Sequence, residues 1–149
     1  MFFFGKKSTI SIPTPIYDQI IEHAKDEYPH ECCGVLVGNN MGGVRKVFEA
    51  HRVANTNKER AHDRYVIEPL EINIIDKCAR ATGLEVIGFY HSHPDHPDRP
   101  SEFDREMGQP GYSYFIVAVK GGKEVSVKSW IFTEDNEPFK EEAIKTGIF

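Results

Sequence analysis

Apolar positions recur four apart at Ile16, Ile20 and Ala24, with Tyr17 and Ile21 beside them, which is the stripe of an amphipathic helix. Thr14 stands as the N-cap ahead of Pro15 at the first helical position, and Pro29 closes the segment, so the pattern predicts a helix of about three to four turns. From Cys32 to Val37 the chain is apolar without alternation, as in a strand covered on both faces. Gly42-Gly43 can turn it into a partner strand from Val44 to Glu49. Residues 51–64 carry His51, Asn55, Asn57 and His62 among charges and read as a long loop, followed by a short strand from Arg64 to Ile67. Pro69 opens a second helix with Leu70, Ile74 and Cys78 on one stripe, ended by Gly83. Glu85 to His93 is the next strand. Tyr112–Lys120 and Glu124–Phe132 form a hairpin around Gly121-Gly122, and one or two helical turns are expected after Pro138.

Strands interspersed with helices place the chain in the α+β (mixed α/β) class, and the two hairpins favour a curved, mostly antiparallel sheet flanked by helices. At 149 residues, with no repeat and no low-complexity linker, one domain spanning residues 1–149 is expected. Hydrophobic residues at 40% and charged residues at 28% exclude a disordered chain. The net charge of -5, without a Lys/Arg cluster, argues against nucleic acid as a partner. No apolar run reaches the roughly 18–20 residues of a membrane span. Phe2-Phe3-Phe4 stops at Gly5-Lys6-Lys7, too short for a signal peptide; a dimer contact, a lattice contact and a disordered end are its open readings. Cys32, Cys33 and Cys78 form an odd set suited to free thiols, which makes a cytoplasmic location the default.

The chemistry concentrates in Gly88-Phe89-Tyr90-His91-Ser92-His93-Pro94 and in Ser101-Glu102-Phe103-Asp104. Side chains two apart on a strand point the same way, so His91 and His93 converge as half of a tetrahedral zinc site, with Ile87 and Phe89 expected on the same face as a dry floor. Pro94, Pro97 and Pro100 stiffen a loop able to bring Asp104 back as a third ligand. Two histidines, a carboxylate and an open fourth position are the pattern of a catalytic zinc. Glu31 is placed to act as a general base if the strand it precedes lies beside Glu85–His93.

Each residue also has a plainer reading. Ser101-x-x-Asp104 is a capping-box pattern, and an Asp104 turned toward zinc is expected not to cap the helix. Glu31 can be an exposed residue at a strand start, and His30 and His96 read as solvated. Cys32 and Cys33 read as core rather than as nucleophiles. The chain lacks His-x-Glu followed by Pro-Cys-x-x-Cys, which disfavours a nucleobase deaminase.

Glu31, then His91-Ser-His93, seven residues, Ser101, two residues and Asp104 together resemble the JAMM (MPN-plus) zinc metalloproteases. The flanks Pro29-His30-Glu31-Cys32-Cys33-Gly34 and Gly88-Phe89-Tyr90 are similar too. The resemblance covers most of the chain and implies a cytidine-deaminase-like MPN fold. It implies one zinc per chain held by His91, His93 and Asp104, a zinc-bound water as nucleophile, Glu31 as general base and Ser101 as oxyanion donor. Only residues 105–149 follow Asp104, so the chain resembles the compact stand-alone prokaryotic members. Those are associated with ubiquitin-like sulfur carriers, which makes such a protein, with its Gly-Gly tail, the expected partner and substrate. An extended tail can bind by adding a strand to a sheet edge near the zinc. Two alternatives stand beside this: a non-catalytic MPN scaffold, and a zinc amidohydrolase acting on a small molecule.

Overall fold

Cys33, Val35 and Val37 face one side of a strand and Leu36 the other, and all four are fully buried, so this strand must be covered on both faces. The computed structural model, which describes residues 8–132 and 138–148, shows how. In chain order the elements are β1 (Thr9–Pro13), α1 (Thr14–Glu27), β2 (Cys33–Met41), β3 (Val44–Val53), α2 (Pro69–Ala81), β4 (Glu85–Pro94), α3 (Glu102–Met107), β5 (Ser113–Lys120), β6 (Glu124–Ile131) and β7 (Lys140–Gly147). The strands close into a barrel in the order β1-β3-β2-β4-β5-β6-β7. Pairing is antiparallel at β2–β3, β2–β4, β5–β6 and β6–β7, and parallel at β1–β3, β1–β7 and β4–β5.

The expected curved, mostly antiparallel sheet is mixed and closes on itself. Its closing staple is β1, which the sequence pattern did not reveal: Ile10 and Ile12 are fully buried and the strand lies between β3 and β7. Every described strand has two neighbours, but the closing pairings are short: β1 meets β3 only at Val44–Lys46, and β7 meets β6 only at Ser129–Ile131. The expected helix after Pro138 is β7 instead. Its Lys-Glu-Glu-Ala run suits a helix, but Glu142 is buried, accepting hydrogen bonds from Ser8 Oγ (2.8 Å) and Ser129 Oγ (2.6 Å), with Arg45 Nη1 at 3.7 Å. Tertiary pairing overrides local propensity there. Phe2–Phe4 lie outside the described residues.

One core cluster joins Ile20 and Ala24 of α1 to Leu36, Tyr90 and Phe115, and a second packs Ile72, Ile75 and Ala79 of α2 against Val35, Val37 and Val86. The α1 stripe is the one predicted, although Pro13 is the N-cap and Thr14 is already helical. In α2 the expected stripe faces solvent: Leu70 is 64% and Ile74 55% exposed, and Cys78 is exposed. This helix carries two apolar stripes, and Ile72, Ile75 and Ala79 are the side chains that meet the sheet. β3 runs on to Val53, into the predicted loop, whereas Arg64–Ile67 is not a strand. Among the described residues no helix is long and apolar enough to cross a membrane.

Gly34 shows how tightly β2 crosses β4. A Cβ there would lie 1.9 Å from Tyr90 Cε2 and 2.6 Å from the His51 carbonyl oxygen. Tyr90 cannot swing away freely, because its hydroxyl meets His23 Nδ1 at 2.7 Å. Gly34→Ala is expected to cost about 1–3 kcal/mol or more through overpacking. Urea unfolding measures it, and an unchanged midpoint would contradict the packing described.

Candidate metal and hydrolytic site

β4 delivers His91 and His93 from its C-terminal half on one side of the strand, 0% and 3% exposed. Ile87 is not on that side as expected. The β2–β4 register slips between Leu36 and Val37, leaving Ile87 as an extra residue of β4. The bulge turns Ile87 into the α1-side cluster, while Phe89 packs with the α2-side one. β2 does lie beside β4, with Cys33 opposite His91, so Glu31 enters beside the histidines.

Asp104 comes from α3. Its Oδ2 lies 3.1 Å from His91 Nε2 and 3.0 Å from His93 Nε2, and the two imidazole nitrogens are 3.1 Å apart. Zinc bonded tetrahedrally at about 2.0–2.1 Å holds its ligand atoms about 3.3–3.4 Å apart, so this triangle needs to open only slightly to accept such an ion. The same Oδ2 accepts a hydrogen bond from the Ser101 amide (2.9 Å), and Ser101 Oγ accepts one from the Asp104 amide (3.0 Å). The full capping box is therefore present together with the inward-facing carboxylate. The expectation that the two roles exclude each other is corrected: a carboxylate oxygen has lone pairs enough to meet an amide and a cation on different sides.

The electrostatics fit a site for a cation. Burial alone would raise the Asp104 pKa, but the charge and hydrogen bonds of His91 and His93 hold it well below the usual carboxylate range. Burial lowers the His91 pKa, only partly offset by Asp104. For His93, burial is outweighed by the bond and charge of Asp104, and the pKa rises. Among the described residues, Asp104 pairs with no Lys or Arg, only with these two imidazoles.

Glu31 is 4% exposed, not the solvated strand-start residue of the plainer reading. One of its carboxylate oxygens lies within 4.8 Å of a nitrogen of each histidine. Its Oε1 has no hydrogen-bond partner among the described residues. Burial pushes its pKa up to about 8; His93 opposes the rise, and Asp104 and Asp63 add to it.

The scaffold around these groups was not legible beforehand. His93 Nδ1 faces the Pro97 carbonyl at 2.7 Å, which directs Nε2 inward. Trp130 Nε1 donates to the Asp98 carbonyl (2.9 Å) and pins the proline loop. Ser92, on the opposite side of β4 from the histidines, accepts from the Cys32 amide at 2.8 Å, next to Glu31. Asn55 Nδ2 donates to the carbonyls of Glu31 (3.2 Å) and Arg64 (3.0 Å), and its Oδ1 accepts from the amides of Asn57 and Val66. Tyr65, thus bracketed, stacks on His91. Beside it runs an apolar groove of about 460 Å³, walled by Tyr65, Ile72, Phe89, Phe103 and Tyr112 and reaching Asp104. Asparagine in a charged loop and a single tyrosine carry no spacing signal that would have singled them out. His30 and His96 are exposed. Cys32 and Cys33 are buried, with burial raising both thiol pKa values, that of Cys32 to about 12, so neither is a ready nucleophile.

Residues 13–133 match the family described as prokaryotic homologues of the JAB domain. The desampylase of Haloferax volcanii is 36% identical over 119 residues, covering 76% of this chain and 84% of the relative. The CysO-cysteine peptidase of Mycobacterium tuberculosis is 25% identical over 127 residues, covering 85% and 84%. Among solved structures, protein DSY2949 from Desulfitobacterium hafniense superposes with a TM-score of 0.82 at 27% identity, over 94% of both chains. AF2198, a JAB1/MPN domain protein from Archaeoglobus fulgidus, does so with 0.58 at 23%, over 94% of this chain and 99% of the other, which bears on the fold alone.

The Glu31 shift makes a signed prediction. Between its ordinary value of 4.5 and about 8, the unfolded chain releases this proton while the metal-free fold retains it. Rising pH therefore favours unfolding across that window, by at most about 5 kcal/mol at about 1.4 kcal/mol per unit. Glu31→Gln removes this one titration and leaves the rest. Metal-free Glu31→Gln is expected to match the native protein near pH 4 and to exceed it by roughly 1–4 kcal/mol at pH 8. Chemical denaturation in chelator measures both. A stability difference that stays constant across the window would mean that Glu31 is already charged without a metal.

Proposed function

We propose that this chain, which belongs to the prokaryotic JAB-domain family, is a zinc-dependent peptidase or isopeptidase that hydrolyses the bond after the C-terminal Gly-Gly of a small ubiquitin-like sulfur-carrier protein. The observation that carries the reading is the 3.0–3.1 Å triangle of His91, His93 and Asp104 donors with the unpartnered, buried Glu31 beside it. The substrate class rests on the desampylase and CysO-cysteine peptidase relatives together with the apolar groove leading to Asp104.

His91, His93 and Asp104 would hold the zinc through the three atoms that already converge. When bound, the metal supplies a water made nucleophilic near neutral pH and polarises the scissile carbonyl. Glu31, destabilised as an anion by burial, takes a proton from the attacking water and returns it to the leaving amine. Ser101 Oγ accepts from the Asp104 amide, which leaves its hydroxyl hydrogen for the oxyanion of the tetrahedral intermediate. The tail would lie in the groove lined by Tyr65, where two glycines allow the backbone close approach. The capping box and the convergent donors coexist, so the plain helix-cap reading of Ser101 and Asp104 does not by itself favour a scaffold.

Elemental mass spectrometry and a substrate panel test this together. Close to one zinc per chain is expected in the native protein and in Glu31→Gln, and little in Asp104→Asn or His93→Ala. Glu31→Gln should lose cleavage of fusions to a Gly-Gly carrier, and Ser101→Ala should lose roughly 10²–10³ in rate with zinc retained. Turnover by Glu31→Gln would remove the base assignment. Native protein empty after zinc addition would favour the scaffold, and cleavage of simple amides but not of fusions would favour the small-molecule reading.

A further inference from the structure

The two histidines of β4 are held in different ways. His93 has its remaining ring nitrogen fixed by the Pro97 carbonyl. His91 is completely buried, and its Nδ1 has no hydrogen-bond partner among the described residues. A metal-binding imidazole ordinarily has its second nitrogen tied to a carboxylate, carbonyl or water, which sets both its tautomer and its tilt. Something else must set the tilt of His91.

The Tyr65 ring lies against it, centroids 4.4 Å apart and planes inclined by 23°, a stacked arrangement. The other ring near His91 is His93, at 4.9 Å and 61°, which touches edge-on and cannot define a plane in the same way. Tyr65 is itself placed through its neighbours' backbone rather than by sheet pairing: the Asn55 side chain donates through Nδ2 to the carbonyl of Arg64 before it and accepts at Oδ1 from the amide of Val66 after it. Arg64 in turn covers the Phe103 ring at 4.6 Å, one residue from Asp104. The segment that carries Tyr65 is thus joined to Glu31 through Asn55 and to α3 through Arg64.

We propose that Tyr65 is the positioning residue for His91: its ring face, not its hydroxyl, substitutes for the missing hydrogen bond at Nδ1 and holds Nε2 toward His93 and Asp104. This rests on the reading that these three residues take zinc. The stack itself involves no metal contact, so it can be tested separately.

The experiment compares native protein, Tyr65→Phe and Tyr65→Leu by two readouts. Zinc affinity is measured by competition with a chromophoric chelator. The ring-proton shifts of His91 are measured by NMR on the metal-free proteins. Tyr65→Phe is expected to stay within about threefold of native zinc affinity and to keep the upfield ring-current shift of His91. Tyr65→Leu is expected to bind zinc roughly 10–100-fold more weakly, the usual loss when the outer support of a ligand is removed, and to lose the shift. Leu binding zinc as tightly as native protein would overturn the proposal, as would Phe falling as far as Leu, which would assign the effect to the hydroxyl. Should Tyr65→Leu not fold, the His91 shift in native protein and Tyr65→Phe decides: present in both supports the stack, absent from the native protein overturns it. A native protein that takes no zinc yet shows the shift would sink the zinc reading and leave the stack standing. A native protein that fails to cleave any carrier, with the affinities ordered as expected, would sink only the substrate reading.

Discussion

Two carboxyls and two imidazoles, all largely removed from water, share one small volume at the ends of two neighbouring strands. That arrangement is costly without a cation: burial disfavours the charged forms of Glu31 and His91, and Asp104 has only the two imidazoles to balance it. A divalent ion would remove much of the cost at once. The remainder of the structure reads as the means of holding this cluster together in spite of itself. The β2–β4 pairing sets Glu31 beside His91, and the capping box of α3 orients Asp104. The barrel gives both strands a partner on each side, so neither can drift.

The supporting contacts are mostly backbone-directed and come from loops. Pro97, Asn55, Ser92 and Trp130 each spend a polar group on fixing a main-chain or ring position near the site, with none needed at the reacting atoms. Residues 54–67 form a platform: they hold the Glu31 backbone through Asn55 and Ala61, and present Tyr65 to both His91 and the apolar groove. A long, polar, irregular segment in a compact fold therefore has a mechanical task.

How much was legible in the sequence follows from which signals are local. His91 and His93 are read from strand periodicity, and Ser101 and Asp104 from a three-residue spacing, so both groups could be placed on their elements without the fold. The proximity of Glu31 depended on a strand pairing that no local signal settles, although the flanking residues pointed to it. Long-range pairing also explains the failures. β1 is short and its alternation is brief, β7 has the composition of a helix, and the bulge that turns Ile87 away arises only from the β2–β4 register. In α2, two apolar stripes competed, and only the sheet decides between them. Asn55 lies in a loop whose composition solvent exposure explains equally well, and Tyr65 in a stretch that reads as a short strand, so neither carries a signal of its role.

The central claim is that His91, His93 and Asp104 form one metal centre with Glu31 beside it. Anomalous diffraction from zinc-soaked crystals, collected on both sides of the zinc absorption edge, tests it most directly. The account predicts one peak per chain bonded to His91 Nε2, His93 Nε2 and Asp104 Oδ2, with the Ser101–Asp104 capping bonds intact. A peak elsewhere, or none, with Asp104 turned away from the histidines, would contradict it.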